Sequence, residues 1–236
     1  MFYIMKKLLT LALAVCALAL VSCGPSRYTS SSVNLASIDE FAFVEPLAYI
    51  TYTNDQNEPF YDPDLSRQAA GKIETIISSE RYPFSDVIKV DYDEEGTLRK
   101  WVSNLSDVDV SRAERLRVPN KLENLIKDSG HRYGIVIYSF GYIQSAKARE
   151  YERMKKSVRR LVDHAIEKIT EKKVYSSASD TYMSSPYGNS MYCAIIDAEK
   201  GQIVHFVEEI PFLASHPIDG SDVNERLRSM LKEFYK

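Results

Sequence analysis

The chain has 236 residues, with 30 Lys and Arg against 33 Asp and Glu, for a formal charge of -3. That acidic balance offers no basic footprint for nucleic acid. Nine glycines, none in a phosphate-cradling arrangement, offer no nucleotide loop, and the length suits one domain with a sizeable core.

Lys6 and Lys7 precede an uncharged apolar run from Leu8 to Val21, 14 residues long. A membrane-spanning helix needs about 20 apolar residues, so residues 1–22 read as a secretory signal peptide, with Met1 or Met5 as its start. The run closes on Leu20-Val21-Ser22-Cys23 and breaks at once into Gly24-Pro25-Ser26. Those four residues resemble the bacterial lipobox. The resemblance implies that the Cys23 thiol is diacylated, that the chain is cut before it, and that the new amino terminus is acylated by a fatty acid such as palmitate. Buried acyl chains contribute about 0.8 kcal/mol per methylene, so several of them hold a protein stably on a membrane. Removing residues 1–22 takes away Lys6 and Lys7 and no acid, leaving 28 basic against 33 acidic residues, a charge of -5. Cys193 is then the single free thiol, and no internal disulfide can form. No acid closely follows Cys23. By the same resemblance this implies the periplasmic face of an outer membrane.

Residues 23–38 read as the lipidated cysteine and a Ser-rich flexible tether, and residues 39–236 as one domain. Phe41 to Tyr52 is aromatic and β-branched, a strand demoted at Pro46 to an edge or bulge. Asp62-Pro63-Asp64 starts a helix that carries Leu65, Ala69, Ile73, Ile76 and Ile77 on one side, as far as Ser79. Val87 to Tyr92 is a short strand, Asp93 to Gly96 a turn, and Trp101 sits in a short helix. Ser111 to Ser129 is helical in two pieces, divided at Pro119 and ended by Gly130. Tyr133 to Ile143 is apolar at both parities, as expected of a central strand covered on both faces. Ala146 to Lys173 is a long amphipathic helix with Tyr151, Met154, Val158, Leu161, Ala165 and Ile169 as its apolar stripe. Val174 to Ser190 is a Ser- and Tyr-rich loop. Met191 to Ile196 and Gln202 to Ile210 form a hairpin around Gly201, and a last helix runs from a cap at Ser221 or Asp222 to Phe234. This order predicts an α/β (α+β) domain: a mixed sheet with a C-terminal β-hairpin and helices packed on it.

The hairpin AIIDAEKGQIVHF, residues 194–206, resembles the strand-turn-strand of small envelope lipoproteins. With the lipobox and the strand-helix start, it places the chain near the α/β group that contains the amino-terminal domain of TolB, the synthase activator LpoB and the curli secretion lipoprotein CsgG. His205-Phe206 stands where that group often has Trp. The short tether departs from LpoB, whose long linker lets its domain reach inward.

Chemistry-bearing residues are sparse. His164 and Glu167 are one helical turn apart but lack a second pair to complete a metal site. Cys193 and His205 would make a thiolate pair only if the hairpin register set them on one face. No catalytic residue, metal site or cofactor is expected. Between Lys147 and Lys173 lie ten Lys or Arg and five Asp or Glu, a local +5 on an acidic chain. Arg153, Lys156, Arg159 and Arg160 on this helix, with Tyr182 and Tyr187 in the following loop, are the candidate partner-binding residues. The expected role is a non-catalytic interaction or assembly module of the cell envelope. It would be bound to membrane through its lipid and would meet an envelope protein or a second copy of itself, without nucleic acid. An envelope glycan or peptide hydrolase and a subunit of a secretion assembly are the alternatives.

Overall fold

In a computed structural model describing residues 25–90, 92–106, 109–155, 157, 185–211 and 214–234, the first element is a strand. It is β1 (Ser26–Thr29), and it lies inside the stretch whose composition reads as a free tether. β1 pairs antiparallel along the edge of the sheet, Ser26 opposite Glu208 and Thr29 opposite His205. Edge pairing uses backbone groups whatever the side chains, so serine content misses it. A 3-10 turn, Leu35–Ser37, follows under an Asn34 cap, with Leu35 buried. The sheet thus takes in residues from the expected tether.

Pro46 splits the next aromatic run into β2 (Phe41–Val44) and β3 (Leu47–Thr53). Both lie parallel to β6 (Tyr133–Gln144), with Phe43 opposite Ile135 and Leu47 opposite Tyr138. Four steps on one side face three on the other, a one-residue bulge at the residue that lacks an N–H. After a turn with Asn57 at φ 63°, β4 (Pro59–Tyr61) pairs back on β3. Helix α1 (Pro63–Ser79) starts where expected: the Asp62 carboxylate accepts from the Asp64 and Leu65 amides at 3.0 and 2.9 Å. It buries Ala69, Ile73 and Ile77.

β5 (Phe84–Ile88) lies parallel to β2 at the sheet edge, somewhat earlier than expected. Helix α2 (Tyr92–Ser106) runs through the stretch 93–96 that composition marks as a turn. Leu98, Trp101, Val102 and Leu105 recur at helical spacing and are all buried; that stripe outweighs the local turn signal. A 3-10 helix (Val110–Arg115) and α3 (Asn120–Asp128) follow on either side of Pro119, and Gly130 ends the second at φ 82°.

Beyond β6, residues 146–155 are helical (α4); the rest of the long helix expected to Lys173 lies outside the described residues, apart from residue 157. β7 (Tyr187–Asp197) begins four residues before the expected strand, so Tyr187 to Ser190 belong to the sheet and not to a loop. The 12-residue β6 supplies the template, with Tyr142 opposite Gly188. Only glycine fits there, because a Cβ would stand 2.5 Å from the Tyr142 ring. The hairpin turns to β8 (Gln202–Glu209) through Gly201 at φ 63°, as predicted. α5 (Gly220–Met230) is capped by Asp219, which accepts from the Ser221 amide at 2.9 Å; the expected caps Ser221 and Asp222 already lie within the helix. A 3-10 turn, Lys232–Phe234, closes the described chain.

The sheet order is β1-β8-β7-β6-β2-β5, with β3 and β4 continuing beside β6. On one face Trp101, Leu105, Leu122 and Ile126 pack against Val136, Tyr138, Ala194 and Phe206. On the other, Ile73, Ile77, Val223, Leu227 and Met230 pack against Phe41, Phe43, Ile137, Cys193 and Val207. The result is a single α/β domain with a mixed sheet of eight strands. Among the described residues, no helix is long and apolar enough to cross a membrane.

Candidate interaction surface

Even-numbered residues of β6 point to the α2 and α3 face. Val136 and Tyr138 are covered there, and burial holds the Tyr138 phenol well above its ordinary value. Phe140, two residues on, is 46 % exposed. The expectation of cover on both faces therefore holds only as far as Ser139, because α2 and α3 leave the last turns of the strand open.

Parallel register sets Tyr49 directly opposite Phe140, and their rings lie 5.7 Å apart and within 5° of parallel. Tyr61 of β4 stacks on the far side of Tyr49 at 4.8 Å. Arg99 of α2 reaches over Tyr61, 5.4 Å from its centroid, while donating to the Ala48 carbonyl. Three rings thus form a ladder across β4, β3 and β6, with a guanidinium at one end. At the other end the residue opposite Phe140 is the small Ser190. The ladder is hidden in the sequence because its members come from separate strands and only the register aligns them.

α4 docks beside this ladder. Ser145 donates its N–H to the Thr53 carbonyl at 2.9 Å, Lys147 meets Asp55 at 3.3 Å, and the Asn57 amide donates to Glu152 at 3.2 Å. Ala148, on the same helix, is fully buried. Tyr151 and Met154, expected to pack on the sheet, are instead more than half exposed. Of the candidate partner-binding residues, Arg153 is exposed on α4. Tyr187 is half-buried at the start of β7, its ring 4.7 Å from that of His216 in an edge-to-face contact. Cys23, Lys156, Arg159, Arg160 and Tyr182 lie outside the described residues.

The hairpin register starts with Asp197 opposite Gln202 and then shifts, so that Ile195 faces His205 and Cys193 faces Val207. The bulge brings Cys193 and His205 to one face, yet not into a pair. His205 Nδ1 is bonded to Thr29 Oγ1 at 2.8 Å, and its Nε2 lies 4.0 Å from Glu233. Burial lowers the imidazole pKa, against an opposing pull from Glu233. The Cys193 thiol is fully buried, and desolvation pushes it up to about 12, the reverse of an activated nucleophile. His131 is bonded to Glu40 at 3.0 Å, just before β6 begins and so at the opposite end of that strand from Phe140. The His164 and Glu167 pair lies outside the described residues. Among the described residues no three metal-ligating side chains converge. A groove of about 350 Å³ opens at the Pro46 bulge, lined by Leu47, Ala48, Ala70, Gly71, Glu74 and Arg99.

No family model matches the chain, and no curated protein matches it. It is similar to solved structures of PelC from Paraburkholderia phytofirmans. One is a dodecamer of a PelC variant with a single leucine-to-methionine substitution, at 13 % identity and a TM-score of 0.37, covering 89 % of this chain and 97 % of that one. Another is the PelC dodecamer in a second crystal form, at 11 % identity and 0.33, covering 87 % and 95 %.

Proposed function

We propose that the chain is a lipid-anchored protein of the bacterial outer membrane, on its periplasmic face, acting as a non-catalytic interaction or assembly module. The observation that carries this reading is the adjacency of Leu20-Val21-Ser22-Cys23 to the domain: only Gly24 and Pro25 separate Cys23 from β1. An acylated Cys23 would be joined almost directly to a sheet edge, and the domain would be held at the membrane surface rather than swinging on a tether. The exposed Arg153 and the basic stretch that follows it in sequence supply surface for a partner. The buried, high-pKa thiol of Cys193, and a His205 ring bonded through Nδ1 to Thr29 rather than to the thiol, favour this reading over a hydrolase.

Metabolic labelling with an alkynyl fatty acid tests the anchor. The expected result is a labelled mature chain that fractionates with the outer membrane, and an unlabelled, unprocessed Cys23→Ser variant. An unlabelled wild-type chain would overturn the reading. The assembly role is tested by site-specific crosslinking in cells from a photoreactive residue placed at the exposed position of Glu150 on α4. A discrete adduct that Arg153→Glu abolishes is expected, and no adduct from this helix would remove it as a partner surface.

A further inference from the structure

Pairing fixes how far the domain can stand from its anchor. Ser26 faces Glu208, Glu208 faces Tyr192, and Tyr192 faces Tyr138, so the first residue of β1 is level with Tyr138. Cys23 lies three residues earlier, a reach of about 10 Å when fully extended. Continued in line with β1, that reach ends level with Gly141. The sheet does not stop there. β6 runs to Gln144, β3 ends opposite it at Thr53, and Tyr187 of β7 faces Ile143. The turn between β3 and β4, and then α4, extend the same end further.

The large apolar side chains left exposed among the described residues are Phe60, Tyr61, Phe140, Tyr151, Met154 and Ile210. All of them sit at this end. Ile210 follows Glu209, which faces Met191 and through it Ser139; Tyr61 faces Thr51, which faces Tyr142; Phe60 faces Tyr52, which faces Ile143. Tyr151 and Met154 lie on α4, tied to the 54–58 turn through Lys147 and Glu152. The remainder of the described surface carries no such residue. One-sided apolar exposure of this kind marks a contact surface, and aromatic rings beside an arginine suit the boundary between headgroups and acyl chains.

The geometry points to a membrane-contacting end of the domain: Phe140, Tyr61, Phe60, Tyr151 and Met154 rest in the headgroup–acyl boundary of the leaflet that holds the Cys23 acyl chains. This rests on the lipidation of Cys23 proposed above. The occupant is a bilayer rather than a second copy because, with β1 directed at the leaflet that holds its anchor, the acyl chains end level with Gly141 and the end of the sheet carrying these residues runs past that level.

The test uses the full mature lipoprotein, purified in detergent and reconstituted into phosphatidylcholine vesicles with brominated acyl chains, which quench tryptophan on contact. The natural Trp101 is buried against the sheet, 5 % exposed, and serves as background. Phe140→Trp and Met154→Trp report on the proposed end, and Lys200→Trp on the hairpin turn at the opposite end. Insertion to the depth of an interfacial side chain should remove about half of the emission added at positions 140 and 154 and leave that at 200 unchanged. Vesicle flotation is read in parallel. Floating protein with unquenched tryptophans at 140 and 154, or equal quenching at 200, would overturn the contact while leaving the anchor intact. Failure of the wild-type chain to float would overturn the anchor, and the contact with it.

Discussion

Arg27 and Glu233, 206 residues apart in sequence, meet at 3.1 Å and join the first strand to the last helical turn. The same guanidinium donates to the Met230 carbonyl at 3.3 Å and to that of Ser229, capping the end of α5. β1 is therefore locked to the domain by side chains as well as by its ladder with β8. Replacing Arg27 with Ala leaves helix-end carbonyls without a donor at a largely buried site, a loss of about 1–3 kcal/mol. Arg67→Ala removes an ion pair that is more than 70 % exposed on both sides and should cost less than about 0.5 kcal/mol. Urea denaturation midpoints of the two variants check the contrast, and equal midpoints would refute the clamp.

His205 makes this junction sensitive to acid. Its ring is packed against Phe234 and bonded to Thr29, with Glu233 and Arg27 the charged groups nearby. Desolvation lowers its folded-state pKa below the ordinary 6.5, so in mildly acidic solution the unfolded chain binds a proton that the folded chain resists. The stability contributed by the neutral ring is complete above pH 6.5 and declines as the pH falls through that value toward the folded pKa. Thermal unfolding across pH 7.5 to 5, about one unit and more either side of the free-imidazole value, should show a falling Tm. A His205→Gln variant should flatten that slope.

Cys193 faces the apolar layer beneath α5, with a thiol pKa pushed up to about 12. The native protein should resist alkylation by iodoacetamide at mildly alkaline pH and react at one site once unfolded in urea. Rapid labelling of the native thiol would show access to this layer and reopen a nucleophilic role.

Asp197 is fully buried at the hairpin turn. Its carboxylate accepts from Arg132 Nη2 at 2.8 Å and from the Glu199 and Lys200 amides at 3.1 and 3.3 Å. Asp197→Ala strips the turn of its acceptor and leaves Arg132 without its closest carboxylate, a cost of about 2–4 kcal/mol. Asp197→Asn keeps an amide acceptor and should fall between the alanine variant and wild type by chemical denaturation.

Gly141 tests the packing of β6 against β7. A Cβ there would stand 2.6 Å from the Gly188 carbonyl oxygen, a backbone atom that cannot step aside. Gly141→Ala should destabilise by about 1–3 kcal/mol. Gly71→Ala, where nothing lies within 4 Å and the residue sits inside α1, should be neutral or stabilising by up to about 1 kcal/mol. Melting temperatures moving in the same direction would contradict this account.

Several elements are legible because their signal is local. Asp62 before Pro63 starts α1, Gly201 turns the hairpin, Pro46 breaks the aromatic run, and Val223, Leu227 and Met230 mark the buried side of α5. Others mislead where partner and composition disagree. Ser26–Thr29 and Tyr187–Ser190 look like loop, yet each adds to an edge or extension that another strand offers. The stretch 93–96 looks like a turn, yet it opens a helix whose buried stripe begins at Leu98. Of the candidate surface, the sequence points to the basic helix and Arg153 but not to the ring ladder.

The order of residues alone determined the uncharged apolar run from Leu8 to Val21, the alternation of strands and helices, and the mixed character of the sheet, because caps, breakers and hydrophobic period act over a few neighbours. Only the folded arrangement decided that β1 begins at Ser26, three residues after Cys23, that Tyr61, Tyr49 and Phe140 stack, and that Cys193 and His205 share a face without pairing. Those relationships depend on strand register and on which face each helix covers, and both are set by contacts between residues far apart in the chain.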